Sequence, residues 1–436
     1  MNSPKFSPNA VIGDKAVNLN PFQRLEHHIN VPKSLSSVTT IADNEVNPEW
    51  LGMTEDDRDA IWRSVRALYK TGIYPAASLC VRRHGEILIN RSIGHAHGNG
   101  PKENGPLVLA TPDTPYCLFS ASKAITAMLV HLLEQEGELN LLNPVSFYVP
   151  EFGANGKKDI TIQQILAHRA GIATLKEKID PEVLFDKPTI LEMLYNAKPT
   201  SLHGRELAYH ALTGGYVLGE IIERVTGESL REFMRKRVQE PLGFKHFNFG
   251  ATREQYPEIA TNYFTGLPLV FPVKQAIARI LGAPLETAIE VSNDPRFYDS
   301  VIPAGNIVAT AEESSRFFQC LLNGGELDGT RIFQPVTVER AVREVNSTEI
   351  DKVLLMPMRY SAGMMLGNHG WGMFGPATPS AYGHLGLTNN FVWADPERAL
   401  SVALITSGNP IVGTHLPRLG MLLNTISKRC GKIFQH

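Results

Sequence analysis

Tyr116-Cys117-Leu118-Phe119-Ser120-Ala121-Ser122-Lys123 is the stretch on which the reading of this chain turns. An aromatic and apolar run ends at a serine, a lysine follows three residues later, and a helical pattern runs from Ser120 to Gln135. Residues i and i+3 share one face of a helix, so the Ser120 hydroxyl and the Lys123 amine can meet. A serine hydroxyl is a poor nucleophile until a base takes its proton. Lysine can be that base where burial or nearby cations lower its pKa. The free N–H groups of a helix N-terminus can also stabilise an oxyanion. Ser122, rotated by about 100° from Lys123, fits the pairing less well. Taken alone the spacing is a weak signal, because a helix N-cap serine beside a solvated lysine gives the same pattern.

Two further sites follow in chain order. Tyr209-His210-Ala211 precedes Gly214-Gly215-Tyr216-Val217-Leu218-Gly219 and an amphipathic helix, and Gly383-His384-Leu385-Gly386 precedes a strand-like run at Asn389 to Ala394. Around them the periodicity changes along the chain. Asp57, Ala60, Ile61, Val65, Leu68 and Tyr69 form a helical stripe stopped at Gly72. Ala76 to Arg82 and Glu86 to Ile93 read as strands joined by a His84-Gly85 hairpin turn. Near the C-terminus, Asn389 to Ala394 and Ala399 to Thr406 repeat that pattern around Asp395-Pro396-Glu397-Arg398, and Pro417 to Ser427 is helical by propensity. Between these ends lies mainly helix: Ser120 to Gln135, Ile162 to His168, Gly215 to Val225 and Ser229 to Val238. Strands at both ends predict an α+β fold, one antiparallel sheet flanked by helices, with a mainly helical lobe inserted. Residues 1–50 are expected to be an N-terminal extension, an arm on or off the surface. Residues 51–119 with 300–436 form the expected α/β domain, and 120–299 the helical one, its segment 251–299 shaping a pocket. The seam between two such lobes favours a binding site.

Composition narrows the function. Of 436 residues, 43% are hydrophobic and 20% charged, which is ordinary globular usage. The charge balance is 42 − 44 = −2 with no basic run, so neither nucleic acid nor membrane is expected as a partner. Cys80, Cys117, Cys320 and Cys430 are scattered and match no disulfide framework or zinc pattern. His95 and His97 sit two apart but lack a neighbouring carboxylate or cysteine, so no metal and no cofactor is expected. The first twenty residues have no apolar core of a signal peptide, and no apolar run is long enough to span a bilayer, so a soluble, cytoplasmic protein is expected.

With the three ordered sites on the page, the chain resembles the serine β-lactamase and penicillin-binding-protein superfamily. It is most similar to the class C β-lactamase-like carboxylesterases, the family VIII esterases. Ile165-Leu166-Ala167-His168-Arg169-Ala170-Gly171-Ile172, Val225-Thr226-Gly227, Glu240-Pro241-Leu242-Gly243 and Pro303-Ala304-Gly305-Asn306 match that group as well, so the likeness runs from about residue 55 to 425. The resemblance implies a β-lactamase-like fold with Ser120 as the acylated nucleophile. Lys123 and Tyr209 would share general-base and general-acid work, and the backbone N–H groups of Ser120 and Leu387 would form the oxyanion hole.

Departures from the family pattern set the expected substrate. In β-lactamases the second motif is Tyr-x-Asn; here Ala211 stands at the asparagine position and cannot make its hydrogen bond. The third motif there begins Lys-Thr/Ser-Gly; here it is His384-Leu385-Gly386, which weakens the anchoring of a carboxylate. Together with Trp371, which could line the pocket or pack in the core, Ala211, His384, Leu385 and Gly386 are the candidate substrate contacts. The expected activity is a serine carboxylesterase acting on small-molecule esters with short to medium acyl groups. Acyl transfer to an alcohol and weak β-lactam hydrolysis are the alternatives, and the oligomeric state is left open. Lys70-Thr71-Gly72 imitates a lactamase third motif but precedes Ser120, and Gly72 is better read as ending the first helix. Ser292-Asn293-Asp294 imitates Ser-Asp-Asn but is read as a turn before Pro295. His168 is read as structural, as is His210 beside Tyr209. The chain contains no G-x-S-x-G.

Overall fold

The computed structural model describes residues 27–175, 180–387 and 389–433. Its main sheet draws strands from both ends of the chain: β1 Thr39–Ile41, β2 Ala76–Arg83, β3 Glu86–His97, β4 Val108–Leu109, β5 Met365–Leu366, β6 Tyr382–Gly386, β7 Asn390–Asp395 and β8 Leu400–Thr406. Their order across the sheet is β1-β3-β2-β8-β7-β6-β5, with β4 paired to β3, and all pairs are antiparallel. The β2–β3 turn holds His84 at φ 53° and Gly85 at φ 89°, the positive values that a tight two-residue hairpin loop requires. β2 then pairs with β8 from Ala77↔Thr406 to Arg83↔Leu400, joining the N-terminal hairpin to the C-terminal one.

The helices that frame the site are α1 Glu55–Tyr69, α2 Ser122–Gln135, α3 Thr213–Thr226, α4 Val273–Leu281, α5 Leu285–Val291, α6 Ala311–Leu322 and α7 His415–Arg429. α1 starts where Thr54 and Asp57 exchange side-chain-to-backbone hydrogen bonds, which satisfies donors a helix start leaves free. Alternation along the strands sorts the core. Leu79, Val81, Phe391, Trp393, Val402 and Leu404 face α1 and α7. Cys80, Val392, Ala394, Ala403 and Ile405 face the opposite way, into the larger cluster that holds α2, α3 and α6. The α+β architecture with an inserted, largely helical middle is the one the sequence predicts.

Three details differ from expectation. From His27 onward the segment read as a surface arm is built in. β1 pairs with β3, Ile29, Leu35 and Val38 are buried, and Glu45 accepts from the Arg91 guanidinium at 2.7 and 2.6 Å. A three-residue strand carries too little alternation to be seen in sequence. Residues 1–26 lie outside the described residues. Secondly, Ser120 does not open the long helix: it sits in a 3₁₀ turn, Phe119–Ala121, and α2 begins at Ser122. Thirdly, the helix expected to reach His168 ends at Leu166, and His168 itself takes φ 57°.

Candidate active site

The turn carrying Ser120 is pinned from three sides. Leu118 N–H donates to Ile307 C=O at 2.8 Å, and the Asn390 side-chain amide donates to Cys117 C=O at 3.0 Å. Behind it, Ser122 Oγ accepts from Ile307 N–H at 3.0 Å, so the neighbouring serine is spent on structure while Ser120 remains half-exposed. Phe119 is held at φ 47°, a left-handed conformation that costs side-chain-bearing residues on the order of 1–3 kcal/mol.

Lys123 Nζ donates to Ser120 Oγ at 2.9 Å and to Ala304 C=O at 3.0 Å. Ala304 can stand this close because Gly215 of α3 faces it. A Cβ on Gly215 would lie 2.6 Å from the Ala304 Cβ and 2.7 Å from its backbone nitrogen. Among the described residues, no carboxylate is bonded to Lys123. Burial alone therefore penalises its ammonium form and lowers its pKa from 10.5 to about 7. A neutral amine next to a serine hydroxyl is a competent proton acceptor at neutral pH.

Tyr209 completes the group. Its ring centroid lies 5.0 Å from Lys123 Nζ, and Ser120 acts on its hydroxyl against the effect of burial. Burial pushes the Tyr209 phenol pKa well up, so the residue keeps its proton. Its position is set by backbone clamps that sequence reading missed. Ala208 N–H donates to His168 C=O at 3.0 Å, Tyr209 N–H to Asp351 Oδ1 at 3.2 Å, and His210 N–H to His168 Nδ1 at 3.2 Å. Asp351 is fully buried and also accepts from Val353 and Leu354 N–H at 2.8 and 2.9 Å and from Tyr360 hydroxyl at 3.3 Å. Sequence reading takes His168 as structural without naming its partners; Asp351 carries no sequence signal.

β6 brings the third motif alongside. Gly386 touches the Ser120 turn so closely that a Cβ there would lie 2.2 Å from the Leu118 carbonyl oxygen, which seats Leu387 at the cavity with Ser120. His384 is buried, with its ring centroid 6.1 Å from that of Tyr209 and its Nδ1 2.7 Å from Leu385 C=O. Burial, then the nearby Lys123, pushes its pKa down to about 3, so it supplies no charge for a carboxylate at neutral pH. Leu385 packs against the α1–α7 side of the sheet, while Ala211 lines the cavity. Trp371 is a correction: it is 60% exposed, its two-residue strand pairs with Gly375–Pro376, and its ring lies beside Gly420 of α7, away from the cavity. A Gly-Trp-Gly triplet says nothing about which way so short a strand faces.

Ser120 opens onto a cavity of about 200 Å³ walled mainly by apolar side chains, among them Leu184, Leu212, Tyr216, Leu281 and Phe297. Segment 251–299 contributes Ile280, Leu281, Ala288, Val291 and Phe297 to that wall. Among the described residues, Asp180 and Arg279 are its charged lining groups. The imitations resolve as structure. Ser292 Oγ donates to Ile289 C=O at 2.7 Å, and Asn293 clasps the backbone of Asn262. His97 bonds Thr261 and Pro257. Among the described residues, no three His, Cys, Asp or Glu side chains are grouped to hold a metal.

Fold and site together define a serine hydrolase with its serine and lysine three residues apart on one turn. The beta-lactamase family model matches residues 63–419, and the chain belongs to that family. Esterase/beta-lactamase LipL of Mycobacterium tuberculosis is 32% identical over 309 residues, covering 67% of this chain and 69% of that protein. The crystal structure of a family VIII carboxylesterase superposes with a TM-score of 0.72 at 27% identity, covering 86% of this chain and 97% of that one. A penicillin-binding protein homolog from Caulobacter crescentus superposes with a TM-score of 0.73, also at 27% identity, covering 86% and 98%.

Proposed function

We propose that this protein is a carboxylesterase that cleaves short to medium acyl esters through an acyl-enzyme on Ser120. The observation that carries the reading is a buried Lys123 placed 2.9 Å from the Oγ of Ser120, which itself lines an apolar cavity. In the acylation step Lys123 Nζ takes the Ser120 proton as Oγ bonds to the ester carbonyl carbon. The carbonyl oxygen then holds the negative charge against the N–H groups of Ser120 and Leu387. Collapse of that adduct breaks the bond to the alcohol oxygen. Tyr209 passes its proton to the leaving alkoxide and is resupplied from Lys123. Water repeats the sequence on the acyl-enzyme with the same groups in reverse.

The cavity favours neutral esters. Ala211 offers no amide to hold a polar acyl substituent, and His384 is neutral where a lactamase lysine would bind a carboxylate. A cavity of about 200 Å³ suits a chain of several methylenes better than a bulky polar acyl group. β-Lactam hydrolysis is the second reading, favoured by the name of the mycobacterial relative. The test is steady-state hydrolysis of a p-nitrophenyl acyl series beside a chromogenic cephalosporin, with wild type and Ser120→Ala. Ester turnover lost in the variant, with little cephalosporin cleavage, supports the esterase. Efficient cephalosporin cleavage would move the protein to the second reading.

A further inference from the structure

α4 and the turn before it leave apolar side chains exposed to solvent. α4 has no buried residue, yet Val273, Ile277, Ile280 and Leu281 give it an apolar side. Just ahead of it Val270 is 69% exposed and Phe271 78% exposed, and Val273 follows at 37%. The underside is anchored. Buried Leu269 packs with Leu285 and Ile289 of α5, and Phe264, Ile277, Leu281 and Leu387 pack against them. One edge of this unit therefore rests on the residue beside Ser120, while Ile280 and Leu281 line the cavity. The other edge presents an aromatic and two valines to solvent.

Charge accompanies the apolar rim. From Leu267 to Ala283 the chain carries Lys274 and Arg279 and no acidic residue, and both cations are exposed. An apolar edge flanked by Lys and Arg matches the boundary between acyl chains and anionic headgroups, where such helices lie in the plane of the surface.

We propose that Val270, Phe271 and Val273, flanked by Lys274 and Arg279, form a docking surface for an anionic lipid bilayer, setting the mouth of the Ser120 cavity against the phase in which acyl esters dissolve. The choice of ester-bearing lipid as the source of substrate rests on the esterase reading above; the docking itself does not. Attachment is peripheral: no helix among the described residues is long and apolar enough to cross a membrane. With one aromatic and two cations the binding is weak, reversible and weakened by salt. The sequence expectation of no membrane partner looked for a basic stripe or a spanning run. This surface has neither and becomes visible only when the fold leaves the rim uncovered.

The experiment is co-sedimentation of full-length Ser120→Ala with vesicles of phosphatidylglycerol and phosphatidylcholine, against vesicles of phosphatidylcholine alone. The expected result is preferential binding to the anionic vesicles. Phe271→Asp should lower it at least about tenfold, and Lys274→Gln about fivefold. In the Ser120-containing protein, Phe271→Asp should leave p-nitrophenyl acetate turnover in solution unchanged and lower turnover of a p-nitrophenyl ester dispersed in the anionic vesicles. Absence of vesicle binding, or binding indifferent to Phe271→Asp, would overturn the proposal. So would a self-association in ultracentrifugation that Phe271→Asp abolishes, since the rim would then belong to a second copy. If wild type turns over no ester at all, the esterase reading fails while sedimentation still decides the surface.

Discussion

Replacing Lys123 by methionine should abolish turnover and at the same time make the protein more stable. Lys123 is buried and, among the described residues, donates to two neutral oxygens, of Ser120 and Ala304, at 2.9 and 3.0 Å. Burial lowers its pKa from 10.5 to about 7, which at about 1.4 kcal/mol per unit is about 5 kcal/mol against the ammonium form. The sign follows from proton counting. Between pH 7 and the unfolded lysine pKa near 10.4, the unfolded chain binds the proton and the folded one does not. The penalty is therefore complete below about pH 7, fades by about 1.4 kcal/mol per pH unit above it, and vanishes beyond the unfolded pKa. Methionine fills similar volume without a charge, but removes two hydrogen bonds worth about 1 kcal/mol each. The net gain at pH 7 is about 2–3 kcal/mol, or roughly 2–3 °C in Tm for a chain of this length. Calorimetric scans of Lys123→Met and wild type at pH 7 and pH 9.5 measure it, and the gain should vanish or slightly reverse at the higher pH. A variant less stable than wild type at pH 7 would mean that burial does not penalise the Lys123 ammonium, and one that retains turnover would mean that Lys123 is not the base.

Other expectations follow from the same geometry. The acidic limb of kcat/KM for a neutral p-nitrophenyl ester should fall tenfold per pH unit below about pH 7, where Lys123 becomes protonated. His384, held near 3, should add no limb between pH 5 and 8, and a His384→Asn profile with the same midpoint would show it. Tyr209→Phe should keep the fold, since the clamps on this segment run through the backbone N–H groups of Ala208, Tyr209 and His210, and should lower kcat by about 10²–10⁴. Asp351→Asn should cost about 1–3 kcal/mol in urea unfolding, because one buried side chain serves three backbone N–H groups and Tyr360. It should also depress kcat more than KM, since it moves Tyr209 rather than the cavity wall.

How much was legible in the sequence depended on distance along the chain. Ser120 and Lys123 share one turn, so their meeting follows from helical spacing, although the turn proved to be 3₁₀ ahead of α2. The two hairpins showed themselves through alternation and turn residues. Tyr209 was found only through an ordered motif, because nothing local tells one tyrosine from another. The clamps that seat it were out of reach. His168 lies 42 residues from His210 and Asp351 lies 142 from Tyr209, and the loops that carry them have no periodicity to read. Short strands failed for a related reason: β1 and the Trp371–Gly372 ribbon contain too few residues to show which face they bury. The cavity wall was half legible. Segment 251–299 was read as pocket-shaping from its aromatics and position, whereas Leu184, Leu212 and Tyr216 entered only with the fold.

Rapid-quench mass spectrometry of the intact protein with p-nitrophenyl acetate looks for the covalent acyl group on Ser120 itself. A single acetyl adduct should form with a burst of p-nitrophenol, map by proteolysis to the peptide containing Ser120, and be absent in both Ser120→Ala and Lys123→Met. Turnover without an adduct, or an adduct mapped to another residue and still formed by Ser120→Ala, would contradict the Ser120 acyl-enzyme.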